Sequence, residues 1–324
     1  MNKKTIVAIL MALVIALFVV YVRIGPPPVV KTVRVITPPA IIASLPVWIA
    51  EEKGMFLNRG LNIQLVDLTN SQLMVEAMLA GNVDVLPAVS LADLVNTGGT
   101  GNIALLQVKI FSHSRMKKIP PFESILTSTG NAIGNIKELE GRRIAVYPGM
   151  TSELAVKYFL RSSGVNQENI RYIKLPPPEH EPALLRGDVD AIHVYEPFRT
   201  LSLQNGKARE LAGSVYATLN EPSGIGCSAI SRNFYRDKTD AAEKFLDAWN
   251  EAIDFIRDNP AEARKVLSQR LGLPETVAAS ATWVDATKTD ETSYQILSDT
   301  VSSAKSAGII PDGFYFEKDM VLHR

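Results

Sequence analysis

AMLAGNVDVLPA, residues 77–88, and ALLRGDVDAIHV, residues 183–194, agree in register at Ala, Leu, Gly, Val and Asp, 106 residues apart. In each copy a helical run closes on Ala-x-Leu. A glycine follows, the residue that enters a left-handed turn without a Cβ penalty. Val-Asp then leads into an apolar, strand-like run. The phrase marks one α-to-β junction, and its recurrence implies two units wired alike.

The surroundings of both copies support that reading. Ahead of and around the first lie TVRVIT (32–37), SLPVWIAEEKG (44–54), LNIQLVDL (61–68), SQLMVEAMLAG (71–81), VDVLPA (83–88) and SLADLVNTGG (90–99), which alternate strand and helix. The order restarts with RIAVY (143–147), TSELAVKYFLRSSG (151–164), NIRYIKL (169–175), EHEPALLRG (179–187) and VDAIHVY (189–195). A β-α-β-α-β order predicts an α/β fold with a mostly parallel sheet covered on both faces, here in two copies. After residue 225 the pattern changes. CSAIS (227–231) reads as a strand, and helical stretches follow at 239–260, 261–272, 274–283 and 291–308. Phe245, Trp249, Ile253 and Ile256 fall on one face of the first of these, a core stripe. Runs 104–111 and 220–231 then form two crossings, with the second lobe inserted into the first. The expected division is 32–111 plus 226–324 for lobe one and 112–225 for lobe two.

The chain has 324 residues, with Lys+Arg and Asp+Glu both at 34 and 46% hydrophobic content. That size suits two domains, and the balanced charge gives no basic patch for nucleic acid. At the N-terminus MNKK precedes an unbroken apolar run from Ile6 to Val22. This predicts an export segment over 1–24, either a signal peptide or an uncleaved membrane anchor, with GPPP opening a stiff spacer at 25–31. The location implied is the periplasm or the outer face of the cytoplasmic membrane. Cys227 is the single cysteine, so no disulfide forms within the chain.

Ligands of open α/β sheets bind beyond the C-terminal ends of the strands. The loops there are TPPAIIASLP (37–46), TNSQ (69–72), AVSLAD (88–93), YPGMTSE (147–153), PPPEHE (176–181) and YEPF (195–198). They place Ser44, Ser71, Ser90 and Thr151 at or beside helix starts, where unpaired N–H groups attract anions or where the hydroxyl simply caps its own helix. Tyr195 offers a flat wall with a hydroxyl tip, and Glu196 a carboxylate for a ligand donor or for the opposite lobe. Tyr147 and Trp48 are further aromatic candidates, Trp48 being inside a helix and suited to the core. His113, His180, His193 and His323 lack metal-type spacing, and no nucleophile elbow, phosphate loop or dinucleotide fingerprint occurs. No catalytic residue, metal or cofactor is expected.

LPVWIAEEKGMFLNRGLNIQLV (45–66) with EAMLAGNVDVLPAVS (76–90), IKELEGRRIAVYPGMTSE (136–153), ALLRGDVDAIHVYEPF (183–198) and FLDAWNEAIDFIRDNPAEA (245–263) resemble one family. It is the substrate-binding proteins of ABC importers for nitrate, sulfonate, taurine and thiamine-precursor pyrimidines, and the likeness runs over about 32–320. The resemblance implies a two-lobed periplasmic-binding fold, type II-like, that closes by hinge motion. It implies a small-molecule ligand and a membrane permease as partners, with contacts at Pro39, Ala40, Ser44, Leu45, Asn70, Ser71, Ala88, Ser90, Gly149, Thr151, Ser152, Tyr195 and Glu196. The chain departs from the family in lacking a lipoprotein cysteine and in having no arginine that marks an anionic ligand. The alternatives are a pyrimidine-synthesising enzyme of the same fold and a membrane-anchored ligand sensor.

Overall fold

The computed structural model describes residues 11, 30–37, 40–98, 101, 103–111, 120–283, 285–286, 291–317 and 320. The first lobe begins β1 (Lys31–Ile36), α1 (Leu45–Glu52), β2 (Leu61–Val66), α2 (Ser71–Leu79), β3 (Val85–Ser90), α3 (Leu91–Asn96) and β4 (Ile103–Phe111). The chain then crosses into β5 (Glu123–Ser128), β6 (Arg143–Val146), α4 (Thr151–Ser162), β7 (Arg171–Lys174), α5 (Pro177–Arg186), β8 (Ala191–Tyr195), α6 (Phe198–Gln204) and β9 (Ala208–Gly213). It returns through β10 (Ser223–Ser231) to α7 (Arg232–Asp237), α8 (Thr239–Asp258), α9 (Pro260–Leu271), α10 (Glu275–Ser280), β11 (Asp285–Ala286) and α11 (Glu291–Ser306).

Two sheets result, ordered β11-β4-β10-β3-β1-β2 and β7-β6-β8-β5-β9. β1 pairs parallel with β2 and β3, as β6 does with β7 and β8. The expectation of mostly parallel sheets needs correction, because both are mixed. β10 runs antiparallel to β3 and β4, and β5 antiparallel to β8 and β9. β5 and β10 are each the first strand after a crossing, so each enters its sheet from the opposite end, and the short β11 is also antiparallel to β4. The two lobes are joined by these two crossings. Among the described residues no helix is long and apolar enough to cross a membrane. The run 6–22, Met11 apart, lies outside those residues, and with it the expected export segment.

The repeated phrase has one geometry in both lobes. Gly81 and Gly187 have φ of +75° and +77°, the left-handed turn that a side chain resists. Three residues on, Asp84 and Asp190 reach back to the strand beside them. The Asp84 N–H donates to the Arg34 carbonyl at 2.8 Å, and its carboxylate accepts the Arg34 backbone N–H at 2.8 Å and the guanidinium at 2.6 and 3.1 Å. The Asp190 N–H donates to the Arg143 carbonyl at 2.8 Å, and its carboxylate accepts the Arg143 backbone N–H at 2.9 Å and the guanidinium at 3.0 and 3.1 Å. Each aspartate therefore fixes the entry of its strand with a fork of charge-assisted bonds.

Lobe one packs its sheet against α1 and α8. Phe245, Trp249 and Ile253 of α8 are buried, with Ile256 packed at the edge. Phe245 stacks between Phe56 at 5.1 Å and Trp249 at 6.0 Å. Burying one such ring contributes about 1.5–3 kcal/mol. This layer holds the strand tips rigid where they meet lobe two.

Candidate functional site

A cavity of about 90 Å³ lies between the two sheets. That is room for several water molecules. Both lobes build its wall. Lobe one gives the end of β3 (Ala88, Val89, Ser90), the start of α2 (Ser71), Asp93 of α3, and Gly226 and Cys227 of β10. Ile41 and Ala43 come from the turn before α1. Lobe two gives Phe122, Tyr147, Gly149, Thr151, Ser152, Tyr195 and Tyr216. Of the residues singled out from sequence, Ser71, Ala88, Ser90, Tyr147, Gly149, Thr151, Ser152 and Tyr195 meet here.

The others lie elsewhere. Ala40 lines a second, outer chamber of about 270 Å³ on the far side of Tyr147, with Thr37, Asp67 and Pro176 to Pro178. Leu45 and Trp48 are core residues of lobe one, and Ser44 is fully buried beside them. Asn70 caps α2, its Oδ1 accepting the Gln72 and Leu73 N–H groups at 2.9 and 3.2 Å. Pro39 lies outside the described residues. Glu196 is buried beyond the cavity. Its carboxylate accepts the Thr200 N–H and hydroxyl at 3.2 and 2.9 Å and pairs with Arg199 at 3.4 Å. The Thr282 N–H of lobe one also donates to it, so Glu196 does bond the opposite lobe. Burial nonetheless raises its carboxyl above the usual range.

Asp93, which sequence reasoning passed over, is the charged group in the wall. It sits on lobe one, and lobe two supplies most of its hydrogen bonds. The Met150 N–H donates to Oδ1 at 3.0 Å, and the Thr151 N–H and hydroxyl and the Ser71 hydroxyl also bond it. Burial raises its pKa, and these donors oppose the shift. Beside it, the Ser90 and Thr151 hydroxyls bond across the lobes at 2.5 Å. Ser90 also caps α3, accepting the Ala92 N–H at 3.1 Å. The Ser71 N–H donates to the Pro148 carbonyl at 3.2 Å and the Ile42 N–H to the Glu196 carbonyl at 3.4 Å, again lobe to lobe. The lobes thus meet directly around the cavity.

The lobe-two wall is backed by a buried chain. His193 stands between Glu123, 3.0 Å from Nε2, and Ser152, 3.0 Å from Nδ1. Glu123 also accepts the Tyr216 N–H at 3.2 Å. In the neutral-ring tautomer that suits a carboxylate acceptor, Nε2–H donates to Glu123 and Nδ1 accepts the Ser152 O–H. Ser152 therefore shows the cavity its lone pairs, and its Oγ also accepts the Tyr147 N–H at 3.3 Å. The Tyr195 and Tyr216 hydroxyls bond each other at 2.6 Å. Burial pushes the pKa of Tyr147, Tyr195 and Tyr216 upward, so all three remain neutral phenols near neutral pH. His180 lies outside the site. It is buried, its Nε2–H donates to the Leu175 carbonyl at 2.8 Å, and burial lowers its pKa to about 4. Among the described residues no group of three or more His, Cys, Asp and Glu is placed to hold a metal ion.

Phe122 and Tyr216 escaped the sequence reading because they lie beside segments with no recognised element. Asp93 had a signal, since it ends the quoted AVSLAD loop. Ser90-x-x-Asp93 reads there as a local helix cap.

A protein of Bacillus subtilis named for aliphatic sulfonate binding is 24% identical over 264 residues, 80% of this chain and 75% of its own. An Escherichia coli protein of the same name is 26% identical over 162 residues, which is 50% of this chain and 49% of that protein. Among solved structures, the alkanesulfonate-binding protein SsuA of Xanthomonas axonopodis pv. citri, bound to MOPS, superposes with a TM-score of 0.66 at 20% identity. The match covers 89% of this chain and 96% of SsuA. That likeness carries the two-lobed periplasmic-binding fold. The family model described as NMT1/THI5 like matches residues 42–263, well over half of the chain, and the protein belongs to that family.

Proposed function

We propose that the protein captures a small polar organic solute between its lobes, outside the cytoplasmic membrane, and presents it to the permease of an ABC importer. The observation that carries this is the cavity itself. The C-terminal strand tips and helix starts of both sheets meet around one cavity. The crossings from β4 to β5 and from β9 to β10 act as the hinge, so closure seals the solute from water. The relatives named for sulfonate binding support the transport role.

Binding rather than catalysis suits the wall. Ser152, His193 and Glu123 stand in line like a nucleophile with its base and orienter. Acyl transfer also needs free N–H donors for the developing oxyanion. The Met150 N–H at the α4 N-cap is already held by Asp93 at 3.0 Å. The Ser152 oxygen serves as an acceptor in the wall.

Native mass spectrometry of freshly purified protein tests the proposal. The expected result is a non-covalent adduct of one small molecule, lost on unfolding and returned unaltered. Adding that molecule back raises the thermal midpoint without turnover. A chemically changed product would move the assignment to an enzyme.

A further inference from the structure

α4 is a 12-residue helix whose first residues carry no side-chain cap of their own. The unpaired N–H groups of such a start, with the helix dipole behind them, attract an anion. In this protein the anion is built in, and it comes from the other lobe. Asp93 of α3 receives the Met150 N–H, the Thr151 N–H and hydroxyl, and the Ser71 hydroxyl. The Met150 N–H bonds it at 3.0 Å, and the other donors stand beside it.

There is no room for a second anion at that point. A Cβ built on Gly149 would lie 3.0 Å from Asp93 Oδ2 and 3.2 Å from the Ser71 Cβ, so lobe two's backbone rests directly on the carboxylate. The rest of the wall offers an anion little. Among the described residues that line the cavity there is no Lys, Arg or His. The Ser152 hydroxyl bonds His193 Nδ1 at 3.0 Å and accepts the Tyr147 N–H at 3.3 Å. The Ser90 and Thr151 hydroxyls bond each other, as do those of Tyr195 and Tyr216. The wall therefore holds a carboxylate and, among the described lining residues, no cationic side chain to offset it, so an anion placed there meets a like charge when Asp93 is ionised.

We propose that Asp93 sets the charge of the ligand. By setting a carboxylate against the α4 N-terminus from the opposite lobe it makes the cavity accept an uncharged or cationic solute with hydrogen-bond donors, and refuse sulfonates and other small anions. This deepens the solute-capture reading and rests on it. It separates the chain from relatives that are named for sulfonate binding.

The test is calorimetric titration of the full-length chain in detergent with methanesulfonate and 2-hydroxyethanesulfonate, for the wild type, Asp93→Ser and Asp93→Asn. The wild type is expected to give no saturable heat up to about 10 mM, beyond the millimolar affinity class. Asp93→Ser frees the helix-start donors and removes the charge, and it is expected to gain at least about tenfold in sulfonate affinity. Asp93→Asn keeps the size of the side chain and is expected to gain less. If Asp93→Ser does not fold, Asp93→Asn carries the comparison. A wild type that binds methanesulfonate as tightly as the variants overturns the proposal while leaving solute capture intact. Variants that gain nothing also overturn it, since exclusion would then come from cavity shape. A purified wild type with no adduct in its native mass spectrum would count against solute capture instead, and the gain in Asp93→Ser would still be read independently.

Discussion

Gly149→Ala should wedge the lobes apart without weakening either of them. Gly149 lies in lobe two, and the atoms a new Cβ would meet, Asp93 Oδ2 at 3.0 Å and Ser71 Cβ at 3.2 Å, belong to lobe one. Ordinary contact begins at about 3.4 Å, so the gap must widen by a few tenths of an ångström at its tightest point. Neither neighbour gives easily. Ser71 is the first residue of α2, and Asp93 is pinned by its donors. Overpacking of this kind costs about 1–3 kcal/mol. Because the obstruction exists only when the lobes meet, the cost falls on closure, and the closed-to-open ratio drops roughly fivefold to 150-fold. Nitroxide labels at Thr69→Cys and Glu179→Cys, exposed positions of lobe one and lobe two, would report the distance across the cleft by pulsed electron resonance. The native Cys227 is buried and should stay unlabelled. Gly149→Ala should shift the distance distribution outward while the free energy of urea unfolding, and with it the midpoint, stays within about 0.5 kcal/mol of the parent's value. An unchanged distribution would refute the claim that this contact limits closure. A lowered midpoint would show that Gly149 matters within its own lobe.

The same label pair should read a pH dependence. The pKa of Asp93 is raised in the closed state, chiefly by burial, so closure is favoured below the ordinary aspartate value of about 3.9 and loses that contribution as pH rises through the raised value. Glu196 shifts the same way, so the Asp93 share is the part of the slope that Asp93→Asn removes; a slope unchanged by that variant would reject the assignment. In the repeated phrase, Asp84→Ala should cost about 3 kcal/mol in urea unfolding, because it leaves Arg34 without its buried partner. Asp190→Ala should cost less, since the Arg143–Asp190 pair is more exposed. Phe245→Ala should cost about 3–5 kcal/mol in the same assay, emptying the stack between Phe56 and Trp249.

What was legible in the sequence is what neighbouring residues decide. The turn at Gly81 and Gly187 needs a left-handed residue whatever surrounds it, so the two lobes announced themselves. The stripe on α8 is periodic within one helix, and its rings are core. β5 and β9 were passed over for a physical reason. β5 reads ESILTS, four of its six residues polar, yet it is a buried strand. Ser124 bonds Glu210 at 2.6 Å, Thr127 the Asp190 carbonyl at 2.9 Å, and Glu123 the imidazole of His193. Hydrophobic periodicity does not see a strand whose buried positions are satisfied by hydrogen bonds. Missing β5 also hid the antiparallel entry of each sheet, because that orientation is set by where a crossing delivers the chain. Asp93 is the sharpest case. Local grammar makes Ser90-x-x-Asp93 a helix cap, and Ser90 does cap α3. The carboxylate turns instead toward donors some 57 residues away in sequence, on another lobe. Groups that act across a cleft answer to partners that no sequence window contains, so the residue expected to decide which solute enters is also the one local reading is least equipped to find.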